Sequence, residues 1–133
     1  MFYPLAQPVR ELDTRPAHTA FVAPGTPLGP DGTLALPGSF AVGAIGVPST
    51  ATSLVGNATV DNTIGAPAGF ATLYPSGSAL PLASNLNYAP GQVTPNAFVV
   101  GVGTGGTYAL YSQSGGDFII DISGYFAAGA GTS

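Results

Sequence analysis

Acidic side chains are the first candidates for chemistry in this sequence, because few other reactive groups are present. The chain of 133 residues contains six Asp or Glu, two Arg, one His and no Cys. Asp117 and Asp121 share a face of one predicted strand. Their spacing of four residues separates them by about 13 Å, beyond the roughly 5–9.5 Å that glycosidase carboxylates require. His18 has no nucleophile motif around it. We therefore predict that the chain is not an enzyme.

A glycine motif, G-x-G-x-x-G, runs from Gly101 to Gly106 directly after a predicted strand. A dinucleotide site needs a helix N-terminus after this motif to receive the pyrophosphate. The next eight residues instead alternate like a strand. We interpret the motif as a turn between two strands and predict no cofactor. The absence of Cys and of a D-x-D spacing also predicts no metal site.

One short segment, R-E-L-D-T-R, starts at Arg10 and holds four of the eight charged residues. Arginine forms bidentate pairs that tolerate burial, whereas a buried unpaired charge is costly. We predict structural ion pairs in which Arg10 or Arg15 joins the N-terminal segment to the fold through Asp13, Asp121 or Asp117. A carboxylate or sugar ligand held by one of these arginines is the alternative.

Tyrosine and amide side chains offer a second kind of site, because aromatic rings and amides together can bind carbohydrate. Tyrosine on a strand is nevertheless more often a packing residue with a bonded hydroxyl. Asn57 begins an Asn-Ala-Thr sequon and is a candidate for glycosylation, although it lies in a predicted strand. The candidate ligand or contact face consists of Tyr74, Asn85, Asn87, Tyr88 and Tyr111.

Short strands must position these residues, since no stretch free of both Gly and Pro exceeds eight residues. The alternation of apolar and polar residues predicts half-buried strands. We predict an all-β fold with eight or nine strands, an antiparallel β-sandwich, with a barrel as the alternative and the jelly roll as one of the topologies left open. The predicted strands are Thr52–Asp61, Phe70–Tyr74, Ser84–Tyr88, Ala97–Val102, Thr107–Ser112 and Asp117–Phe126, with weaker candidates at Thr33–Leu36 and Phe40–Ile45.

Composition sets the domain organisation and excludes several partners. We predict one domain over residues 1–126, an extended Pro-rich arm or edge segment over residues 1–32, and a flexible tail or linker over residues 127–133. With no Lys and a net charge of −4, the chain lacks the basic patch that nucleic acid requires. No apolar run is long enough for membrane insertion. Residues 1–15 do not have the pattern of an export signal.

Four stretches of the chain together resemble a known β-rich module. That module is found, often in tandem, in secreted and cell-surface proteins of actinobacteria and Chloroflexi. The resemblance covers nearly the whole chain in order, and it implies an extracellular or cell-surface location and a non-catalytic role. The stretches that carry it are Pro8–Arg15, Gly69–Gly77, Ala83–Gln92 and Asp117–Phe126, with the patterns R-x-L-D-T-R, GFxTLYPSG, SNLNYxPGQ and DxxGYF.

The small number of charges, set against a hydrophobic content of 45%, favours assembly over catalysis. We predict a structural module that associates with copies of itself into a fibre, a layer or a tandem array. Two alternatives remain open from the sequence. One is a carbohydrate-binding module that recognises a surface glycan, and the other is a virion decoration or tail protein.

Overall fold

The computed structural model describes residues 1–129; the remaining four residues, 130–133, lie outside the described part. Within residues 1–129 the chain forms ten β-strands and one short 3-10 turn, Thr104–Gly106. The all-β prediction is therefore confirmed. The strands are β1 Phe2–Asp13, β2 Gly32–Pro37, β3 Phe40–Val42, β4 Ile45–Val47, β5 Ser53–Asp61, β6 Gly69–Pro75, β7 Leu86–Tyr88, β8 Val93–Gly101, β9 Thr107–Ser112 and β10 Asp117–Phe126.

Two four-stranded sheets make up the sandwich. Sheet 1 has the order β1-β10-β5-β8 and sheet 2 the order β2-β9-β6-β7, and every strand pair is antiparallel. The β3–β4 hairpin is a separate two-stranded sheet between β2 and β5 in the sequence. When the hairpin is set aside, the eight strands follow the orders 1-8-3-6 and 2-7-4-5. That arrangement of two Greek keys is the jelly roll.

The core lies between the two sheets and follows the period of two in the sequence. Residues of β5 alternate without exception between half-buried and buried, so that Leu54, Ala58 and Val60 point inward. Leu36 of β2 and Leu110 of β9 meet them from sheet 2, with 0% and 1% of their surfaces exposed. Alternating apolar side chains on paired strands thus close the sandwich from both sides.

A β-bulge at Ser123 changes the face of the last residues of β10. The register between β10 and β5 shifts between Ile122 and Gly124, so one extra residue reverses the alternation. The sequence pattern places Phe126 on the same face as Ile122, and that prediction is wrong. Phe126 is 37% exposed and its ring lies 5.3 Å from that of Phe2 on the neighbouring strand.

The first strand, β1, lies at the edge of sheet 1 and is irregular. Its register against β10 shifts between Pro4 and Val9 and again between Arg10 and Leu12. Proline removes a backbone donor, and an edge strand can tolerate this loss. The outer edge of β1 is partly covered, because the amide of Val22 donates to the carbonyl of Glu11 at 2.7 Å. The Pro-rich N-terminal segment therefore begins as an edge strand.

The beginning of β1 and the residue after β10 are joined directly. The Ala127 amide donates to the Met1 carbonyl at 3.1 Å, and the Met1 amino group donates to the Ala127 carbonyl at 2.9 Å. Ala127 is 7% exposed. The predicted tail over residues 127–133 thus begins with a buried, hydrogen-bonded residue, and its residues 130–133 lie outside the described part.

The two sheets pack face to face, and different strands lie at the two open edges of the sandwich. On one side β1 faces β9, and the hydroxyl of Tyr108 on β9 donates across the core to the Glu11 carboxylate on β1. On the other side β7 contacts both β8 and β5, the last two strands of sheet 1. The β1 edge and the β7–β8 edge are therefore opposite sides of the molecule.

Candidate functional site

A cluster of charged side chains covers the outer face of sheet 1 where β1, β10 and β5 run side by side. Six of the eight charged residues of the chain belong to this charged cluster. Strand pairing explains the gathering, since Arg10 is opposite Asp121, and Asp117 is opposite Asp61. The members of the charged cluster are Arg10, Asp13, Arg15, Asp61, Asp117 and Asp121.

Arg10 forms the exposed part of the charged cluster. Its guanidinium donates to both carboxylate oxygens of Asp121, with Nε to Oδ1 at 3.0 Å and Nη2 to Oδ2 at 3.3 Å. This bidentate geometry links β1 to β10. The hydrogen bond to Asp121 raises the pKa of Arg10, against the opposing effect of burial. The Arg10 and Asp121 side chains remain 41% and 29% exposed.

Asp13 forms the buried part of the charged cluster, with a side chain that is 0% exposed. Its carboxylate accepts hydrogen bonds from Arg15 at the backbone N (3.1 Å), Nε (3.0 Å) and Nη2 (2.8 Å). Burial by itself raises the pKa of Asp13, but the hydrogen bonds from Arg15 outweigh it and the pKa is lowered. Arg15 also approaches Asp61, with Nη1 3.7 Å from Oδ2. The carboxylate of Asp13 is therefore held ionised inside the fold.

Two aspartates of the charged cluster, Asp61 and Asp117, lie directly opposite each other on paired strands, an arrangement that repels like charges. Neighbouring groups relieve this repulsion. The hydroxyl of Thr14 donates to Asp117 Oδ1 at 2.7 Å and accepts from the Phe118 amide at 2.9 Å.

The four predicted ion-pair residues, Arg10, Asp13, Arg15 and Asp121, come together in the structure. The four carboxylates and two guanidiniums of the cluster bond to one another and to the hydroxyls of Thr14 and Thr63.

A buried acid that the sequence analysis did not single out lies on the inner face of β1. Glu11 is 0% exposed and accepts a short hydrogen bond from the hydroxyl of Tyr108. Its second oxygen, Oε2, has no hydrogen-bond partner among residues 1–129. Desolvation raises the pKa of Glu11 to about 8, although the Tyr108 hydrogen bond opposes the rise. Glu11 lies at the register shift between Arg10 and Leu12, and alternation in the sequence gives no signal of this irregularity.

Two of the predicted ligand residues serve the fold rather than an open surface. Tyr88 is 4% exposed, and its hydroxyl donates to the Gly115 carbonyl at 2.7 Å. The side chain of Asn85 accepts from the Leu73 amide at 2.7 Å and so fixes the loop before β7 to β6. Both polar groups are occupied by backbone partners. We therefore expect neither residue to contact a ligand.

The other three predicted ligand residues, Tyr74, Asn87 and Tyr111, lie on the outer face of sheet 2. Tyr111 and Tyr74 alternate with the core residues of β9 and β6, and both are half-buried. Phe70, which the sequence analysis left out, joins them with its ring 5.9 Å from that of Tyr111. Asn87 is exposed and pairs with Phe70. Together Phe70, Tyr74, Asn87 and Tyr111 form an aromatic face, at which the Tyr111 hydroxyl donates to Asp31 Oδ1 at 2.6 Å.

Two further sequence features have plain positions in the fold. Asn57 is half-buried on the outer face of sheet 1, and its Nδ2 donates to Thr59 Oγ1 at 3.3 Å. The glycine motif forms the turn between β8 and β9, where Gly105 and Gly106 both have φ of +73°. A left-handed backbone of this kind favours glycine, so conformation accounts for these residues.

A groove lies at the β1 edge, between β1 and the β3–β4 hairpin, and we call it the edge groove. Its volume is about 620 Å³, in the range of ordinary ligand pockets. Phe21 and Val42, which lie on its rim, are 47% and 45% exposed. The edge groove is lined by Gln7, Pro8, Val9, Arg10, Thr19, Ala20, Phe21, Ala41, Val42 and Ile45. These residues come from three separate segments of the chain.

Comparison with known proteins adds no assignment: no family model, no curated protein and no solved structure matches this chain. Across the described residues, 1–129, no group of three or more His, Cys, Asp or Glu is arranged to hold a metal ion. No helix in that part of the chain has the length and apolar character needed to span a membrane.

Proposed function

We propose that the chain is a non-enzymatic structural module of an extracellular or cell-surface assembly, in which it associates with copies of itself. The distribution of charge supports this proposal. Six of the eight charged side chains are held in the charged cluster, where most of them are paired. The rest of the surface is nearly neutral, and neutral surfaces repel one another little.

The observation that carries the proposal is the exposure of large apolar side chains on several sides of the sandwich. Phe21 and Val42 are exposed at the β1 edge, and Leu82 is 105% exposed on the opposite side. On β8, Val93 and Val99 are 59% and 63% exposed. Exposed apolar side chains that lie together, as Phe21 and Val42 do at the edge groove, typically mark contact surfaces. Contacts with neighbouring copies would remove these side chains from water.

Light scattering of the purified chain over a wide range of concentrations tests the proposal. We expect the mass to rise above the monomer mass of 13.1 kDa as the concentration increases, and electron microscopy to show fibres or layers. Because apolar contacts are not screened by salt, the association should persist at high ionic strength. A constant monomer mass at the highest soluble concentration, with no ordered particles, contradicts the proposal.

A second candidate function, binding of a surface glycan, is favoured by the aromatic face of sheet 2. Three ring side chains lie there beside the exposed amide of Asn87, and such rings can stack on sugar rings while an amide donates to hydroxyls. We expect Tyr111→Ala to abolish binding to soluble polysaccharides measured by calorimetry. Tyr3→Ala is the matched control, because Tyr3 is a half-buried tyrosine of sheet 1. Equal binding by both variants contradicts this candidate.

A further inference from the structure

The loop between β6 and β7 presents an apolar tip at the edge opposite to the edge groove. We call residues 76–85 the leucine loop. Its tip is Leu80-Pro81-Leu82, in which Leu80 is 41% and Leu82 105% exposed. A leucine with its whole surface in water has gained nothing from the folding of its own chain. Burial of such a side chain contributes roughly 1.5–3 kcal/mol.

Hydrogen bonds at both ends of the leucine loop hold this tip in place. On the first side, Ser78 Oγ donates to the Pro75 carbonyl at 2.6 Å. On the second side, the Asn85 amide donates to the Ala71 carbonyl at 2.9 Å, and Thr72 Oγ1 donates to the Ala83 carbonyl at 3.3 Å. A loop fixed in this way loses less conformational entropy when its tip binds a partner.

The topology prevents the tip from reaching the edge groove of its own molecule. The leucine loop runs beside β6 at the β7 edge of sheet 2, while the edge groove lies beyond β1 at the other side of the sandwich. A contact between the two must therefore join two molecules. The surfaces involved are different on each partner, so the contact is head-to-tail, and such contacts repeat into filaments or rings.

The charges at the two surfaces are compatible with this contact. The leucine loop contains no charged residue. The edge groove has one, Arg10, and its guanidinium is already neutralised by Asp121 at 3.0 Å and by Asp13 at 3.5 Å. Docking therefore buries no unpaired charge, which would otherwise oppose association. Phe21, Val42 and Ile45 supply apolar walls for the leucine side chains.

We propose that the Leu80-Pro81-Leu82 tip of one copy docks into the edge groove of the next, forming the repeating contact of the assembly. This inference deepens the proposed function and rests on it. The edge groove has ten lining residues and the tip has three, fewer than the roughly 20–30 residues a side of a stable interface. Each contact is therefore weak by itself, and assembly is expected to depend strongly on concentration.

Disulfide cross-linking tests the contact directly, because the chain contains no cysteine of its own. One variant carries Leu82→Cys and a second, tagged to differ in mass, carries Val42→Cys. When the two are mixed with oxidised glutathione, we expect the mixed dimer to form several-fold faster than either homodimer. The matched control replaces Leu82→Cys by Ile64→Cys, at an apolar residue that is 54% exposed on a different loop. A chain with both Leu82→Cys and Val42→Cys should form a ladder of multimers.

A second variant separates failure of this contact from failure of self-association. We expect Leu82→Asp to remain folded, since the side chain lies in water, and to remove the rise in mass seen by light scattering. Ile64→Asp should leave that rise unchanged. If the wild-type chain assembles but Leu82→Asp assembles equally and no mixed dimer is favoured, the docking contact is wrong and the proposed function stands. If the wild-type chain stays monomeric and no mixed dimer is favoured, both are overturned.

Discussion

Two buried acids of the same strand differ in protonation at neutral pH: Asp13 is ionised and Glu11 is protonated. Both are 0% exposed, and they are two residues apart on β1. Asp13 faces the charged cluster, where Arg15 donates three hydrogen bonds to it. Glu11 faces the core, where Tyr108 donates one and the second oxygen is left without a partner among the described residues.

Burial alone therefore does not decide the charge of an acid, because the partners decide whether desolvation is compensated. The pKa of Asp13 is lowered by its guanidinium partner, whereas the pKa of Glu11 rises to about 8. The outer region of β1 thus retains a fixed negative charge that binds the strand to the fold. The inner region retains a proton at neutral pH and below.

Among the variants of these residues, loss of the Asp13 carboxylate should lower the free energy of unfolding the most. Asp13→Ala leaves the Arg15 guanidinium, which is 24% exposed and 3.7 Å from Asp61, without its main partner, and loss of such charge-assisted hydrogen bonds costs about 1.5–3 kcal/mol. Urea unfolding followed by circular dichroism measures the loss. Arg15→Ala should lower the free energy of unfolding as well, because it leaves the Asp13 carboxylate buried. A loss below about 1 kcal/mol for Asp13→Ala would show that the Asp13–Arg15 pair contributes little to stability.

The pH dependence of stability should reveal the second acid. The pKa of Glu11 is about 8 in the folded chain against 4.5 as its ordinary value, so the folded state retains a proton that the unfolded state releases. The contribution of Glu11 to the free energy of unfolding is therefore fully present below about pH 4.5 and is lost as the pH rises toward 8. The total loss is on the order of a few kcal/mol. Asp13, with its lowered pKa, acts in the opposite direction and loses its contribution as the pH falls below about 4.

The variant Glu11→Gln isolates this effect, because glutamine stays neutral and its carbonyl can still accept from Tyr108. We expect equal melting temperatures for Glu11→Gln and the wild-type chain at pH 5, and a higher one for Glu11→Gln at pH 8.5. Tyr108→Phe should extend the decline to higher pH, since it removes the hydrogen bond that opposes the rise in the pKa of Glu11. Parallel pH profiles for the wild-type chain and Glu11→Gln would contradict the assignment.

The exposed pair of the charged cluster should give the smallest effect. Arg10 and Asp121 are 41% and 29% exposed, and pairs in such positions contribute about 0–1 kcal/mol. We expect Asp121→Asn to lower the free energy of unfolding by no more than this amount. The difference should shrink further in high salt, because salt screens exposed charges. A loss as large as that of Asp13→Ala would place the main attachment of β1 at Arg10 instead.

The regular strands could be predicted from the sequence, because their residue pattern records which face is buried. β9 and β10 begin and end where the alternation predicted, and β5 differs by one residue. β1 was predicted only as an extended arm or edge segment, since the prolines at positions 4 and 8 argue against a regular strand. Its edge position and its two register shifts accommodate them.

The surfaces were predictable only in part, because they depend on which strands become neighbours. The gathering of Arg10, Asp13, Arg15 and Asp121 could be inferred from the scarcity of other charges. The division between Tyr88 and Asn87 could not, since adjacent strand residues point to opposite faces and the sequence does not say which face is inner. The edge groove was beyond prediction, because three distant segments line it.

The paired ends of β1 and β10 have a mechanical consequence. Met1 and Ala127 exchange two hydrogen bonds, and Phe2 pairs with Phe126 next to them. A pulling force applied at these two points loads the pairs of β1 and β10 one after another, like a zipper, instead of all at once. The charged cluster crosses the same two strands farther along, at Arg10 and Asp121. Under tension the two strands should therefore separate pair by pair, starting at this end and moving toward the charged cluster.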